Sequence, residues 1–251
     1  MSGQDTAGDP GQALIAPLGD SAWTVTWPGA PSPAHRAAVW GLNQSLQAAQ
    51  QQGRLPALRE WSPALSSLTV IVDAAQAAQD DWPKPLQALL QQATTQAPEA
   101  RRWRLPVCFD ADLAPDLAEL AEQAQCAVGD YVAHLCAQRL SVYMLGFMPG
   151  FPYMGDLSGA WAPPRLAAPR TRVPARSLAL AAGMAAVYPW DSPGGWRLVG
   201  QTPLQLFSLR AEPPALFAAG DVVCIQAIAR AEFEALAADA AWDWAPWCET
   251  P

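Results

Sequence analysis

Residues 145–155, LGFMPGFPYMG, limit the fold more than any other segment of the chain. These eleven residues hold three glycines, two prolines, three aromatics and two methionines, with no charge. Neither a helix nor a regular strand favours that composition, so we expect a loop stiffened by proline and shaped by glycine. Phe147, Phe151 and Tyr153 would then form the wall of a binding pocket. The alternative is a tight barrel corner whose aromatic side chains only fill the core.

Short β-type runs separated by proline and glycine lie on both sides of this loop. Regular short strands with such punctuation predict a β-barrel or a sandwich. The runs are LSVYMLG (140–146), SLALAA (177–182), AAVYP (185–189), WRLVG (196–200), PLQLFSL (203–209) and DVVCIQAI (221–228). Upstream of them we expect a strand at 103–109, a helix at 114–125, and a helix capped by Asp130 that ends near Arg139.

The first hundred residues have a different pattern. Two short strands flank the Gly19-Asp20 turn, and a further strand is expected at 66–74. Helices are predicted from Pro33 to about Gly53 and from Pro83 to about Ala97. This mixture predicts a small α+β domain. We place its boundary in the polar connection at 94–102, which gives three parts: an N-terminal domain (11–98), a β-barrel domain (99–230), and a C-terminal helix with a Trp-rich tail (231–251).

A cluster of arginines follows the aromatic loop. Arg165, Arg170, Arg172 and Arg176 lie within residues 163–176 of an otherwise acidic chain. Guanidinium groups at this density can hold a carboxylate or a phosphate through paired hydrogen bonds. The alternative is a solvated loop that neutralises nearby acids. The locality of the cluster favours an anion site.

The third unusual segment is YPWDSPGGWRLVGQTP, residues 188–203. Ser192, Gly194 and Gly195 belong to a strong turn signal. Glycines in such a turn allow backbone amides to face an anion. The segment lacks the lysine of a phosphate loop, so this pattern alone does not indicate a nucleotide site.

Two further groups of ionisable residues are candidates for a site. His134 is expected in a helix, where a structural role and a general-base role both remain open. Of Asp110, Asp112 and Asp116, two flank a predicted helix start, where capping is the ordinary role.

The composition excludes several classes of function. The net charge of −8 disfavours nucleic acid and anionic membranes as partners, and Lys84 is the only lysine, which argues against Schiff-base chemistry. No window is apolar for the roughly 18 residues that a membrane span needs. Five cysteines without a C-x-x-C pair and two histidines predict a cytoplasmic protein without a metal site. The first twenty residues show no secretory signal pattern.

The three segments together, in this order, resemble the family of 5-oxoprolinase B subunits, which also contains the sporulation-kinase inhibitor KipI and proteins labelled allophanate hydrolase subunit 1. The resemblance covers nearly the whole chain. It rests on VYMLGFMPGFPYMG (142–155), PRLAAPRTRVPARSLALAAGMAAVYP (164–189), SPGGWRLVGQTP (192–203) and AGDVVCI (219–225), with weaker matches at PLGDSAWTV (17–25) and PVCFDADLAPDLAELA (106–121).

This resemblance implies a small α+β domain followed by a cyclophilin-like β-barrel. It also implies a C-type partner protein, a separate A-type protein, and ATP-dependent opening of 5-oxoproline, a small cyclic amide, to glutamate. The chain would contribute part of a shared site, and ATP could be bound by the complex. The implied catalytic residues are His134, Arg170 and Tyr188. Substrate and anion binding would involve Phe147, Gly150, Phe151, Arg165, Arg172, Arg176, Ser192, Gly194 and Gly195.

The chain departs from the family pattern at three places. His134 matches the family histidine only approximately, with a spacing one residue too long. The family has VPAGS where this chain has Arg176 in place of the glycine, and it has GQTGIYP where this chain has Met184, Ala185 and Ala186. These losses raise an alternative function, a non-catalytic regulator that binds a sensor histidine kinase as KipI does. Prolyl isomerase activity is a third and weaker possibility, because a fold does not carry catalysis with it.

Overall fold

The computed structural model describes residues 9–77, 81–93, 100–238 and 245–249. The chain divides into two compact units, residues 1–98 and 99–251. Residues 94–99 of the expected boundary lie outside the described residues, as do residues 1–8 and, in the Trp-rich tail, 239–244 and 250–251. No helix of the described residues is long and apolar enough to span a bilayer.

The first unit is a four-stranded antiparallel sheet with helices, as an α+β domain requires. The sheet order is β1-β2-β4-β3. Ser32 caps the first helix by accepting a hydrogen bond from the His35 amide. The elements are β1 (Leu14–Pro17), β2 (Ala22–Thr26), α1 (Pro33–Gln51), β3 (Leu58–Pro63), β4 (Ser67–Val72), α2 (Ala74–Ala77) and α3 (Pro83–Gln92).

Two predictions for this unit need correction. The helix that starts at Pro83 was expected to reach about Ala97, but it ends at Gln92, because Ala93 has extended backbone angles. The strand β3 was not predicted at all. Its side chains are mostly exposed or half-buried, so the sequence carries little hydrophobic signal there.

The second unit is built on an eight-stranded mixed sheet, with order β12-β9-β10-β7-β6-β13-β5-β14. Strands β8 and β11 form a separate pair. The strands are β5 (Arg102–Val107), β6 (Leu140–Leu145), β7 (Pro152–Gly155), β8 (Arg170–Val173), β9 (Ser177–Ala181), β10 (Met184–Val187), β11 (Ser192–Gly194), β12 (Arg197–Gln201), β13 (Val222–Ala227) and β14 (Cys248–Glu249). The helices are α4 (Leu117–Gln123), α5 (Val128–Ala137) and α6 (Arg230–Ala238).

The expected closed, cyclophilin-like barrel is not found in the described part of the chain. Strand β5 pairs along its whole length with β13, in parallel. Beyond the end of β5, only the isolated bridge between Cys108 and Gln201 joins it to the β12 end of the sheet. A closed barrel would need a continuous ladder there.

Hydrophobic side chains cover both faces of the sheet. One core lies between the sheet and helices α4 and α5, and it includes Leu105, Leu120 and Leu135. A second, smaller core contains Phe151 and Trp196 and belongs to the site described below.

A buried aspartate joins the neighbouring strands β5 and β13. Asp221 accepts hydrogen bonds from both Nε and Nη2 of Arg101, at 2.9 and 2.7 Å, and from the Trp103 indole at 2.9 Å. It also accepts from the Ala218 amide at 2.8 Å. These four hydrogen bonds hold together the segments from which β5 and β13 start.

Two further predictions are corrected in this unit. PLQLFSL (203–209) was predicted as a strand but does not form one. It is joined to residues 214–216 by a few backbone hydrogen bonds and a single isolated bridge between Phe207 and Ala215. Asp130 does not cap helix α5. The helix begins at Val128, so Asp130 lies in its first turn, where a negative charge favours the helix dipole.

Candidate functional site

The aromatic loop builds a cluster of rings on one face of the second unit. The Phe151 ring centroid lies 5.3 Å from that of Phe147, 5.1 Å from that of Tyr188 and 6.2 Å from that of Trp196. The Tyr153 ring lies 5.0 Å from Phe151. Phe151 is buried, whereas Phe147 is 63% exposed. The Phe151 side chain therefore packs in the core, whereas the Phe147 ring at the tip of the loop is exposed to solvent.

The loop conformation depends on left-handed backbone angles. Gly150 has a φ of +78°, and a methyl group there would lie 2.8 Å from the Phe207 Cβ, so no larger residue fits without movement. Phe147 has a φ of +66°, which is unusual for a bulky residue. Such strained residues cluster at ligand sites and switch regions.

Strands β8 and β11 bring the arginine segment next to Ser192–Gly194. These residues were predicted to form a turn, but they form the short strand β11, because they pair with β8. Gly194 pairs with Arg170, and Ser192 pairs with Val173. A methyl group on Gly194 would collide with the Tyr188 hydroxyl. Phe147, Phe151, Tyr188, Gly194 and Arg170 thus form one continuous set of neighbours, while Gly195 packs near Pro169.

Arg170 is held in place by Asp116. Its Nη2 donates to the Asp116 Oδ1 at 2.7 Å, and its Nη1 donates to the Trp196 carbonyl at 3.4 Å. The other carboxylate oxygen accepts the Leu198 amide at 2.6 Å. Asp116 is only 5% exposed. It is therefore a buried positioning group for Arg170.

Sequence reasoning missed this role of Asp116. The residue lies at the start of α4, as expected, but its side chain makes no capping hydrogen bond. No local pattern could have shown its partner, because Arg170 is 54 residues away along the chain.

The remaining predicted arginines have different surroundings. Arg172 pairs with Asp191, at 2.7 Å from Nη2 and 2.8 Å from Nε. Arg176 donates to the Pro203 carbonyl at 3.1 Å. Arg165 is exposed, and its guanidinium carbon lies 5.9 Å from the centroid of the Trp196 ring.

His134 has other neighbours than the aromatic cluster. Its ring stacks on Trp161, with centroids 3.6 Å apart and an interplanar angle of 12°. Its Nε2 lies 3.1 Å from the Gln138 amide nitrogen. The structure gives His134 packing partners in helix α5 and the turn at 159–161 and does not bring it to Arg170 or Tyr188 through any contact among the described residues.

The two tyrosines of the cluster are shielded from ionisation. Burial raises the pKa of Tyr188, and Tyr153 acts in the same direction, whereas the charge of Arg165 lowers it. Burial also raises the pKa of Tyr153, again against the lowering effect of Arg165. Both phenols are therefore neutral hydrogen-bond donors at physiological pH.

The positions that depart from the family pattern are largely buried. Ala185 and Ala186 are fully buried in strand β10, and Met184 is half-buried and packs against the aromatic cluster. The departures at Ala185 and Ala186 therefore change the core more than the exposed surface.

Clefts occur elsewhere in the molecule. One of about 580 Å³ lies in the first unit between the N-terminal segment and helices α1 and α3, and one of about 560 Å³ lies beside α5 and β13. Neither of these two clefts is lined by the aromatic cluster. Within the described ranges, no three His, Cys, Asp or Glu residues are grouped to hold a metal.

Comparison of this chain with known proteins gives consistent matches. Residues 13–217 match the family model of the carboxyltransferase domain, subdomain C and D. The chain is 32% identical to the 5-oxoprolinase B subunit of Bacillus subtilis over 232 residues, which cover 88% of this chain and 95% of that protein. It is 34% identical to the 5-oxoprolinase B subunit of Escherichia coli O157:H7, over 74% of this chain and 82% of that protein.

Solved structures show the same fold. TTHA0988 has a TM-score of 0.71 and 27% identity, and the match covers 83% of this chain but only 40% of TTHA0988. This chain therefore spans less than half the length of that protein. The urea carboxylase of Kluyveromyces lactis has a TM-score of 0.68 at 15% identity, over 92% of this chain and 23% of that protein, which indicates a shared fold alone. On the extent of these matches, the chain belongs to the carboxyltransferase domain, subdomain C and D family, which includes the B subunits of 5-oxoprolinase.

Proposed function

We propose that this chain is the B subunit of an ATP-dependent complex that opens 5-oxoproline to glutamate, acting with a C-type partner protein and a separate A-type protein. The chain is a subunit of the 5-oxoprolinase and carboxyltransferase type, as the relatives named as B subunits of 5-oxoprolinase indicate. The finer assignment of partners and of the reaction is the proposal. The lactam is a stable amide, so activation of its carbonyl must precede attack by water and cleavage of the C–N bond.

The observation that carries the proposal is the ordered arginine beside the aromatic cluster. Arg170 is oriented by the buried carboxylate of Asp116 and lies next to Gly194, which contacts Tyr188. A guanidinium fixed in this way stabilises developing negative charge without reorganisation during the reaction.

The exposure of Phe147 supports a shared site. An aromatic ring that is 63% exposed at the edge of the cluster is typical of a surface that another polypeptide or a ligand covers. An active site formed jointly with the C-type partner would therefore leave the isolated chain without turnover.

The test is ATP-dependent glutamate release by the complex reconstituted from this chain and its A-type and C-type partners. We expect no turnover without this chain, and a loss in kcat/KM of about 10- to 100-fold for Arg170→Ala, the size of a lost charged hydrogen bond. Arg210→Ala is the matched control, because Arg210 is an exposed arginine of the same unit, outside the site.

A control for folding is required, because Arg170→Ala leaves Asp116 buried without its ion-pair partner. The double variant Asp116→Ala/Arg170→Ala removes both charges, and a thermal melt verifies that it is folded. Equal turnover with and without this chain would contradict the proposed function, and full activity of the folded double variant would contradict the role of Arg170.

The second function is a regulator of a sensor histidine kinase. The observation that favours it is the half-buried, apolar Met184 beside the aromatic cluster, where the resemblance implies a polar residue, since a regulator need not keep a polar substrate contact. Affinity purification that recovers a histidine kinase and no C-type partner would favour this function over a role in the enzyme complex.

A further inference from the structure

The four clustered arginines differ in how their charges are balanced. Arg170 faces Asp116, and Arg172 faces Asp191. Arg176 donates to a backbone carbonyl. Among the residues that the structure describes, Arg165 alone of the four has no oxygen partner. Arg176 has no carboxylate partner either, but it is half-buried and bound to Pro203. Arg165 is therefore the exposed guanidinium of the cluster whose hydrogen-bond donors have no protein partner among the described residues.

Arg165 is nonetheless positioned. Its guanidinium carbon lies 5.9 Å from the Trp196 ring centroid, and Trp196 is itself 5% exposed and firmly packed. The ring of Tyr153 lies against the same indole, at 5.9 Å between centroids. A cation held over an aromatic face loses less conformational entropy when it binds a ligand than a freely solvated one.

We propose that Arg165 and Tyr153 form a binding site for a small monocarboxylate next to the Phe147 ring. This inference rests on the proposed function and names the part of the substrate that this chain recognises, the carboxylate of a cyclic amide acid. The guanidinium donates two parallel N–H groups to such a carboxylate, and the phenol adds an O–H donor. The exposed ring of Phe147 provides an apolar surface for the substrate ring.

The charge balance selects a monocarboxylate over a nucleotide. One exposed guanidinium without a carboxylate partner matches one negative charge, whereas a triphosphate carries several. Arg170 and Arg172 have their charges balanced by aspartates, and the chain has a net charge of −8. We therefore expect the triphosphate of ATP not to bind at this cluster.

Calorimetric titration of the full chain with three small molecules and ATP tests this. L-5-oxoproline and cyclopentanecarboxylate carry the carboxylate, and 5-oxoprolinamide keeps the lactam without it. We expect the two acids to bind and the amide and ATP not to. Arg165→Gln should weaken binding of both acids by about 10- to 100-fold, because a charged hydrogen bond is lost.

Further variants separate this role from a loss of folding. Arg165→Lys keeps the charge but loses the paired geometry and should fall between wild type and Arg165→Gln. Tyr153→Phe should weaken the acids by a smaller factor, and Arg210→Gln, an exposed arginine outside the cluster, should bind as the wild type does. Near-ultraviolet circular dichroism verifies that each variant is folded.

Other outcomes would overturn the inference. These are ATP binding that depends on Arg165, acid binding that is unchanged in Arg165→Gln, or no binding of either acid by the full chain. The outcome also separates the two proposals. If both acids bind through Arg165 but glutamate release by the complex does not depend on this chain, the carboxylate site stands and the proposed function falls. If turnover depends on the chain but Arg165→Gln leaves KM and kcat unchanged, the proposed function stands and the carboxylate site falls.

Discussion

Arg176 shows how a single residue can depart from a family pattern at a definite energetic cost. Its φ is +68°, in the left-handed region that glycine adopts without strain. In this chain the arginine tolerates the conformation, and its Nη1 donates to the Pro203 carbonyl. Arginine at this position therefore gains one hydrogen bond but holds its backbone in a strained conformation. The Arg176 guanidinium is bound to Pro203 and is not free for a ligand.

The strain at Arg176 can be measured with two variants that both lack the guanidinium. We expect Arg176→Gly to be more stable than Arg176→Ala by about 1 kcal/mol, because only alanine keeps a Cβ in the left-handed conformation. Urea denaturation curves give the free energy of unfolding of each. An alanine variant as stable as the glycine variant would show that the backbone at this position is not strained.

At the level of strands and helices, the hydrophobic pattern predicted the presence of most elements and was less accurate about the residues at which they begin and end. Helix α1 and strands β4, β9, β12 and β13 lie where alternation or helical spacing placed them. Strands β8 and β11 were not predicted, because they pair only with each other and their side chains are mostly half-buried or exposed. The run at 203–209 has the composition of a strand but no continuous partner strand.

Two glycines in these elements predict opposite effects of alanine. A Cβ at Gly200 of β12 would lie 2.6 Å from the Val107 Cγ1 and 3.0 Å from the Cys108 carbonyl oxygen, so Gly200→Ala should destabilise by about 1–3 kcal/mol. Gly129 in helix α5 has no atom within 4 Å of that position. Gly129→Ala should stabilise by about 0.5–1 kcal/mol, since alanine lowers the entropy of the unfolded chain.

Chemical denaturation of the two glycine variants, beside the wild type, measures both values. If Gly200→Ala were neutral, strand β12 would have room to move away from the end of β5, and the close approach at the Cys108–Gln201 bridge would not constrain the sheet.

At the level of the whole molecule, burial of phenols makes stability depend on alkaline pH. Burial raises the pKa of Tyr131 from 10.0 to about 12, and its hydroxyl has no hydrogen-bond partner among the described residues. The folded chain thus retains a proton that the unfolded chain loses above about pH 10. This contribution to stability is complete below pH 10 and is lost as the pH rises towards 12.

Tyr131→Phe removes this dependence. Between pH 10 and 12, ionisation of Tyr131 in the unfolded chain lowers the free energy of unfolding by up to about 1.4 kcal/mol per pH unit. The free energy of unfolding of the variant should therefore fall less steeply with pH, by that amount. Urea unfolding at pH 8, 10 and 11 gives the slopes. Identical slopes for the variant and the wild type would mean that Tyr131 ionises equally in both states.

The stiff aromatic loop was expected over 145–155, but only 146–151 form a loop, because β6 ends at Leu145 and Pro152–Gly155 form strand β7. Composition and local pattern were sufficient for a mixed α/β chain, for the family and for locating the cluster of arginines, because each depends on residues close together in the chain. The balance of charge around those arginines depended on folding. Asp116 reaches Arg170 across 54 residues, and strands β8 and β11 place Gly194 beside it. An ion pair requires proximity in space, and sequence spacing does not report proximity between distant segments. Folding therefore distinguishes the exposed Arg165 from Arg170 and Arg172, each of which is positioned by an aspartate.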